Sequence, residues 1–110
     1  MPYKIRTRVT IVEGGSAVYP LAEDYMTIAR EYIASGAMVA LDKNWTSDTV
    51  YEETVLWRSV EERAAYGDRV IALLGGNPRT DPDAAALLTP NTIEVLEEGE
   101  ITEEEWNSRT

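Results

Sequence analysis

The residues of this chain that could do chemistry are limited, because histidine and cysteine are both absent. That absence excludes Ser-His and Cys-His catalysis, disulfides, and any zinc or haem site that needs imidazole or thiolate from this chain. The candidate ligand-binding residues are Tyr25, Tyr32, Asn44, Trp45 and Trp57. Their aromatic faces and neutral polar groups predict a site for a small apolar or aromatic ligand, with no metal and no cofactor.

These candidates also have structural interpretations. Tyr25 and Tyr32 are seven positions apart on the apolar side of a predicted helix, and core packing is the favoured explanation for both. Trp45 lies outside any strong periodic pattern, so it is equally consistent with a dimer contact and with a ligand wall. Trp57 is favoured as a core residue.

The carboxylates do not form a recognisable catalytic pair or metal loop. Glu52 and Glu53 are adjacent on a predicted strand, so they point to opposite faces and cannot act together on one substrate. The glutamates near the end of the chain lack the spacing of a calcium-binding loop. A solvated acidic tail over residues 97–110 is expected, following a single domain over residues 1–96.

The charge of the chain argues against nucleic acid as a partner. The formal net charge is −10, and residues 94–110 alone carry seven Glu and one Arg. The one basic cluster is Lys4, Arg6 and Arg8, which alternate and therefore share one face of a predicted strand. Pairing of these cations with Glu52 on a neighbouring strand is the favoured interpretation.

Membrane association is also not expected. No apolar run approaches the roughly 20 residues that span a bilayer, and the amino terminus has no basic region followed by an apolar one. The sequence therefore predicts a cytoplasmic, soluble protein.

Hydropathy periodicity predicts an α+β protein. The first helix should bury Tyr25, Ile28, Tyr32 and Ile33. The second should bury one stripe whose small members allow a close approach: Val60, Ala64, Gly67, Val70, Ile71 and Leu74. Strands are predicted at residues 3–12, 38–41, 50–57 and 93–96, and helices at 21–36, 60–74 and from 82 to about 88.

The junction between the third strand and the second helix is the best-marked position in the chain. Ser59 can accept a hydrogen bond from the Glu62 N–H while the Glu62 carboxylate bonds back to the Ser59 N–H. The element order is then β-α-β-β-α-β, the arrangement of ferredoxin-like folds, with an antiparallel sheet and helices on one face. Because the third strand is apolar on both faces, a second subunit is expected to cover the other face in a homodimer.

Residues 54–66, with the sequence TVLWRSVEERAAY, resemble the dimeric α/β-barrel superfamily, which includes the antibiotic biosynthesis monooxygenase-like proteins. The resemblance covers roughly residues 3–74 and implies a dimeric α/β barrel. It also implies a range of activities, from cofactor-free oxygenases and isomerases to haem degradation, and the last conflicts with the absence of an axial histidine. Oxygenase chemistry would use residues such as Asn44, Trp45 and Trp57.

Three functional hypotheses follow. The leading one is a homodimer that holds a small apolar or aromatic ligand between sheet and helices. The second is a cofactor-independent monooxygenase or isomerase, which would need an enclosed pocket with convergent polar groups. The third is an interaction module that uses its acidic tail with Trp106 as the anchor, although a docked structural tail is the favoured interpretation of that segment.

Overall fold

The structure is a computed structural model that describes residues 1–10, 21–87 and 92–110. The end of the predicted first strand and the glycine-containing segment after it lie outside these residues. The elements in chain order are β1 (Tyr3–Thr10), α1 (Ala22–Ala34), β2 (Met38–Trp45), β3 (Val50–Trp57), α2 (Val60–Leu74), α3 (Pro82–Ala86), β4 (Thr92–Glu100) and α4 (Glu103–Arg109).

Four strands form one antiparallel sheet in the order β2-β3-β1-β4. The predicted α+β class, the β2–β3 hairpin and the edge position of the last strand are confirmed. The strand order and pairing are compatible with a ferredoxin-like arrangement. The structure extends β2 to Trp45, so Asn44 and Trp45 belong to a strand and not to the predicted turn.

The last strand is longer than predicted. It pairs with β1 from Thr92 to Glu100 except at Leu96, which a register shift between Arg6 and Thr7 leaves without a partner. Residues 97–100, which the sequence places in the acidic tail, continue this strand. Glu97 is matched by a cation of β1, since Lys4 Nζ lies 2.9 Å from Glu97 Oε1.

The core lies between the sheet and the two long helices. The buried residues of α2 are Tyr66, Val70 and Leu74. The predicted stripe is confirmed at Val70 and Leu74, and it is wrong at Ala64, which is exposed, and at Ile71, which is 38% exposed. The large ring of Tyr66 gains more from burial against the sheet than a methyl group would, so the helix is turned to bury it.

One predicted core residue of the first helix is also wrong. Ile33 is 44% exposed, whereas the smaller Ala29 is only 4% exposed and lies in the core. Tyr25, Ile28 and Tyr32 pack against the core as predicted. Gly36 ends this region with a φ of 80°, in the left-handed region that glycine adopts without strain.

The cap of α2 forms in part. The Ser59 Oγ accepts a hydrogen bond from the Glu62 N–H at 3.1 Å, as predicted. The Glu62 carboxylate, however, accepts from Arg58 Nε at 3.0 Å instead of from the Ser59 N–H. The charged guanidinium is a stronger donor than a backbone N–H, so it takes the carboxylate.

The face of the sheet away from α1 and α2, called here the open face, carries an ion-pair network. Arg6 and Arg8 lie 3.2 Å and 3.8 Å from Glu52, which confirms the predicted cross-strand pairing. Leu56, opposite Lys4 in the register, is 0% exposed on this face. The helix α4 approaches at the same place, with Glu105 Oε1 3.8 Å from Lys4 Nζ. Burial of Leu56 is therefore complete within one chain.

The ion pair between Lys4 and Glu97 makes stability depend on pH. The hydrogen bond from Lys4 and its charge lower the pKa of Glu97. A carboxylate whose pKa is lowered by folding stabilises the protein above its unfolded pKa and loses that effect as pH falls through the folded value. Glu97→Gln should therefore reduce the urea midpoint at neutral pH, and the difference from the unmodified protein should disappear as the pH falls through the lowered folded-state pKa of Glu97.

The matched control for this experiment is Glu100→Gln. Glu100 lies on the same strand, and within the described residues no cation lies within 4 Å of its carboxylate. It should show a smaller change at neutral pH. An equal change in both variants would mean that loss of negative charge, and not the pairing with Lys4, produces the effect.

Candidate functional site

Three of the predicted ligand-binding residues meet in one place. Tyr25 and Tyr32 from α1 and Trp57 from the end of β3 pack around Tyr66 of α2; these four rings are called the aromatic cluster. The ring centroids of Trp57 and Tyr66 are 4.7 Å apart, and those of Tyr32 and Tyr66 are 5.4 Å apart. Most of the rings meet edge to face, which places the positive edge of one ring on the negative face of the next.

The cluster has two buried rings, called here its floor, and two more accessible rings, called here its rim. Trp57 is 2% exposed and Tyr66 is 7% exposed, whereas Tyr25 and Tyr32 are half-buried. Burial, together with the hydroxyl of Tyr25, raises the pKa of Tyr66 far above its ordinary value. The Tyr66 hydroxyl therefore stays protonated and acts as a hydrogen-bonding group and not as a base.

A cation lies over the floor of this cluster. The guanidinium carbon of Arg63 is 5.8 Å from the ring centroids of both Trp57 and Tyr66, within the range of cation–π attraction. Burial is the main cause that lowers the pKa of Arg63, and the charge of Arg79 adds to it. Within the described residues, no carboxylate oxygen lies within 4 Å of this guanidinium.

The polar groups around Arg63 are themselves paired with each other. Arg79 Nη1 lies 2.9 Å from Glu98 Oε2. Burial and a hydrogen bond with Glu98 raise the pKa of Tyr3. Glu98 is thus shared by Arg79 and Tyr3, and a second carboxylate, Glu53, acts on the Tyr66 ring that Arg63 lies over.

The opposite end of the cluster is electrostatically different. Arg69 lies over Tyr32, with its guanidinium carbon 5.7 Å from the ring centroid, and donates to Glu31 at 2.6 Å. The hydrogen bond from Arg69 lowers the pKa of Glu31. These residues and Ser35 line an open depression of about 210 Å³. At this end of the cluster Arg69 is therefore already paired with the carboxylate of Glu31.

Asn44 and Trp45 do not join the aromatic cluster. Trp45 is 52% exposed, and its ring centroid lies 4.9 Å from that of Tyr51. The Lys43 ammonium lies 4.2 Å from the Tyr51 ring centroid. Asn44 pairs with Glu52, which belongs to the open face. The predicted ligand-binding set is thus divided between two regions.

Two residues of the cluster region, Arg63 and Tyr66, were missing from the predicted site. The spacing of Tyr66, Val70 and Leu74 at four-residue steps was a usable signal for a buried face. Arg63 precedes Tyr66 by three positions and so lies on the same face of the helix. An arginine on the apolar face of a helix is therefore a second signal in the sequence that indicates this site.

Other features of the described residues point away from this region. A second depression of about 300 Å³ lies between β4 and α4 and includes Lys4, which is already paired with Glu97 and Glu105. In the described part of the chain, no cluster of three or more acidic side chains is placed to hold a metal ion. Among the same residues, no helix has the length and apolar character needed to cross a membrane.

The chain matches no protein-family model, no curated protein and no solved structure.

Proposed function

We propose that this protein binds a small aromatic molecule between the helices and the sheet, at the aromatic cluster. The observation that carries the proposal is the convergence of four rings and one guanidinium from α1, β3 and α2 at a single place. The half-buried rings of Tyr25 and Tyr32 form a rim that a ligand ring can contact edge to face. Aromatic walls with a few converging polar groups are the usual composition of a small-molecule site.

Binding is favoured over catalysis at this site. A cofactor-independent oxygenase or isomerase needs a group that accepts a proton from its substrate. Burial raises the pKa of Tyr66, of Tyr51 and of Tyr3, so these phenols donate hydrogen bonds at neutral pH and do not accept protons. The enzymatic hypothesis stays a prediction, in which a carboxylate such as Glu53 or Glu98, and not a phenol, would have to accept the proton.

The three tryptophans provide a test with internal controls. Indole is the probe, added to isotope-labelled protein while the indole N–H resonances of Trp57, Trp45 and Trp106 are followed by NMR. We expect the Trp57 resonance to move saturably, with half-saturation at or below about 1 mM for so small a ligand. A shift that does not saturate, or that is equal at all three tryptophans, would refute binding at the aromatic cluster.

A ferredoxin-like homodimer is the second part of the proposal. Its support is the edge strand β4, where Ile93 is 49% exposed and Val95 is 39% exposed. A strand at the edge of a sheet offers unpaired backbone groups to a second chain, and these two apolar side chains of β4 would be covered by it. The open face provides less support, since its charges pair within one chain.

Sedimentation equilibrium tests the dimer. We expect a dimer at micromolar concentration and a shift to monomer in Val95→Lys, because an ammonium group would replace an exposed apolar side chain that the second chain covers. Thr54→Lys on the open face is the comparison, and it should leave a β4-mediated dimer intact. A folded monomer of the unmodified chain at micromolar concentration would contradict the proposal.

A further inference from the structure

We infer that the ligand of the aromatic cluster is an aromatic carboxylate whose anionic group pairs with Arg63. This inference rests on the proposed binding function and specifies the class of its ligand. Three observations support it: the pairing of the other arginines, the space that Gly67 leaves for Arg63, and the lack of contact between Arg63 and the nearby carboxylates.

Arg63 differs from every other arginine in the chain. Each of the remaining arginines has a glutamate oxygen within 4 Å, and they are Arg6, Arg8, Arg30, Arg58, Arg69, Arg79 and Arg109. Within the described residues Arg63 has no such oxygen, although its guanidinium lies over the buried rings of Trp57 and Tyr66. A cation withdrawn from water gains more from an anion than an exposed one does, because the surrounding medium screens the attraction less.

A glycine inside α2 makes room for this guanidinium. A Cβ at Gly67 would lie 2.8 Å from Arg63 Nη1, closer than real contacts allow. The sequence predicted that this small residue allows the helix to approach another element, but the space is taken by the side chain of Arg63. Glycine destabilises a helix interior relative to alanine, so this position gives up helix stability while it holds the guanidinium over the rings.

Two carboxylates act in this region, and within the described residues neither contacts Arg63. Glu98 contacts Arg79 at 2.9 Å, and Glu53 acts on the Tyr66 ring. A bound carboxylate would supply the direct partner, because its two oxygens match the parallel N–H groups of a guanidinium. The aromatic ring that bears this carboxylate would then lie toward the rings of Tyr25 and Tyr66.

Two matched probes, 2-naphthoate and its neutral amide 2-naphthamide, test the inference in the full chain. With the Trp57 indole N–H as the readout, we expect the carboxylate to bind roughly tenfold more tightly than the amide. Arg63→Gln should abolish this preference and leave the affinity for the amide nearly unchanged. Arg69→Gln is the control, and it should keep the preference because Arg69 is paired with Glu31.

Gly67→Ala provides a second variant in case Arg63→Gln fails to fold. The added methyl group favours the helix and forces the end of the Arg63 side chain to shift, so this protein should be at least as stable as the unmodified one and should show a weaker preference for 2-naphthoate. Equal binding of both probes, or a preference that persists in Arg63→Gln, would overturn the inference and leave the proposed aromatic site standing. If neither probe moves the Trp57 resonance, the proposed function itself fails.

Discussion

Replacing Trp57 by alanine should lower the free energy of unfolding by about 3–5 kcal/mol, the usual cost of removing a buried Trp or Phe side chain. Trp57 is 2% exposed, and its ring meets those of Tyr32 and Tyr66 at 5.9 Å and 4.7 Å. Alanine leaves a cavity among α1, β3 and α2, so both the transfer energy and the packing of the neighbouring rings are lost. Since small domains have a total stability of about 5–15 kcal/mol, the loss is a large share of it.

The control is the corresponding change at Trp45, which is 52% exposed and meets only the Tyr51 ring among the aromatic side chains described. Trp45→Ala should cost about 1 kcal/mol or less. Urea unfolding followed by far-ultraviolet circular dichroism measures both variants without relying on the fluorescence of the deleted residue. Equal costs at Trp45 and Trp57 would contradict the placement of Trp57 at the centre of the core.

The second large effect is expected at the junction between β4 and α4. Ile101 is 7% exposed, and its N–H donates to the Pro2 carbonyl oxygen at 2.9 Å. Ile101→Ala should reduce the free energy of unfolding by about 2–4 kcal/mol, because the surrounding structure relaxes only partly around the lost methyl groups. Ile33→Ala removes the same atoms from a side chain of α1 that is 44% exposed, and should cost about 1 kcal/mol or less.

Deletion of residues 101–110 separates the two hypotheses for the acidic end of the chain. A docked structural segment predicts that deletion of residues 101–110 destabilises the protein at least as much as Ile101→Ala does. An interaction module predicts that the deletion leaves the thermal midpoint nearly unchanged while partner capture is lost. The backbone bond to Pro2 and the approach of Glu105 to Lys4 favour the structural role.

Features that depend on a few neighbouring residues were predictable from the sequence. The Ser59 cap joins residues three positions apart, so its donor and acceptor are both visible in the local sequence. The alternation of Lys4, Arg6 and Arg8 places them on one face of β1 whatever the rest of the fold does. Their pairing with Glu52 followed because opposite charges on adjacent strands attract.

The candidate site was only partly predictable. Tyr25, Tyr32 and Trp57 were selected as aromatic residues on apolar faces, and the structure brings these three together. Tyr66 was missed because α2 offers two overlapping apolar stripes, and contact with the Trp57 ring decides which one is buried. Asn44 was misplaced because a register shift between Ala40 and Lys43 interrupts the alternation of β2.

The sequence by itself determined the order of strands and helices as far as β4, the absence of histidine and cysteine chemistry, and the stripe of cations on β1, whereas α4 replaces part of the predicted acidic tail. These follow from residue types and from periodicities that span one or two turns of chain. Only the tertiary structure decided that Arg63 lies over Trp57 and Tyr66, with Gly67 beneath it and no described carboxylate within 4 Å. The physical reason is that burial and pairing of a charge depend on the elements packed around it, which lie far apart in the sequence.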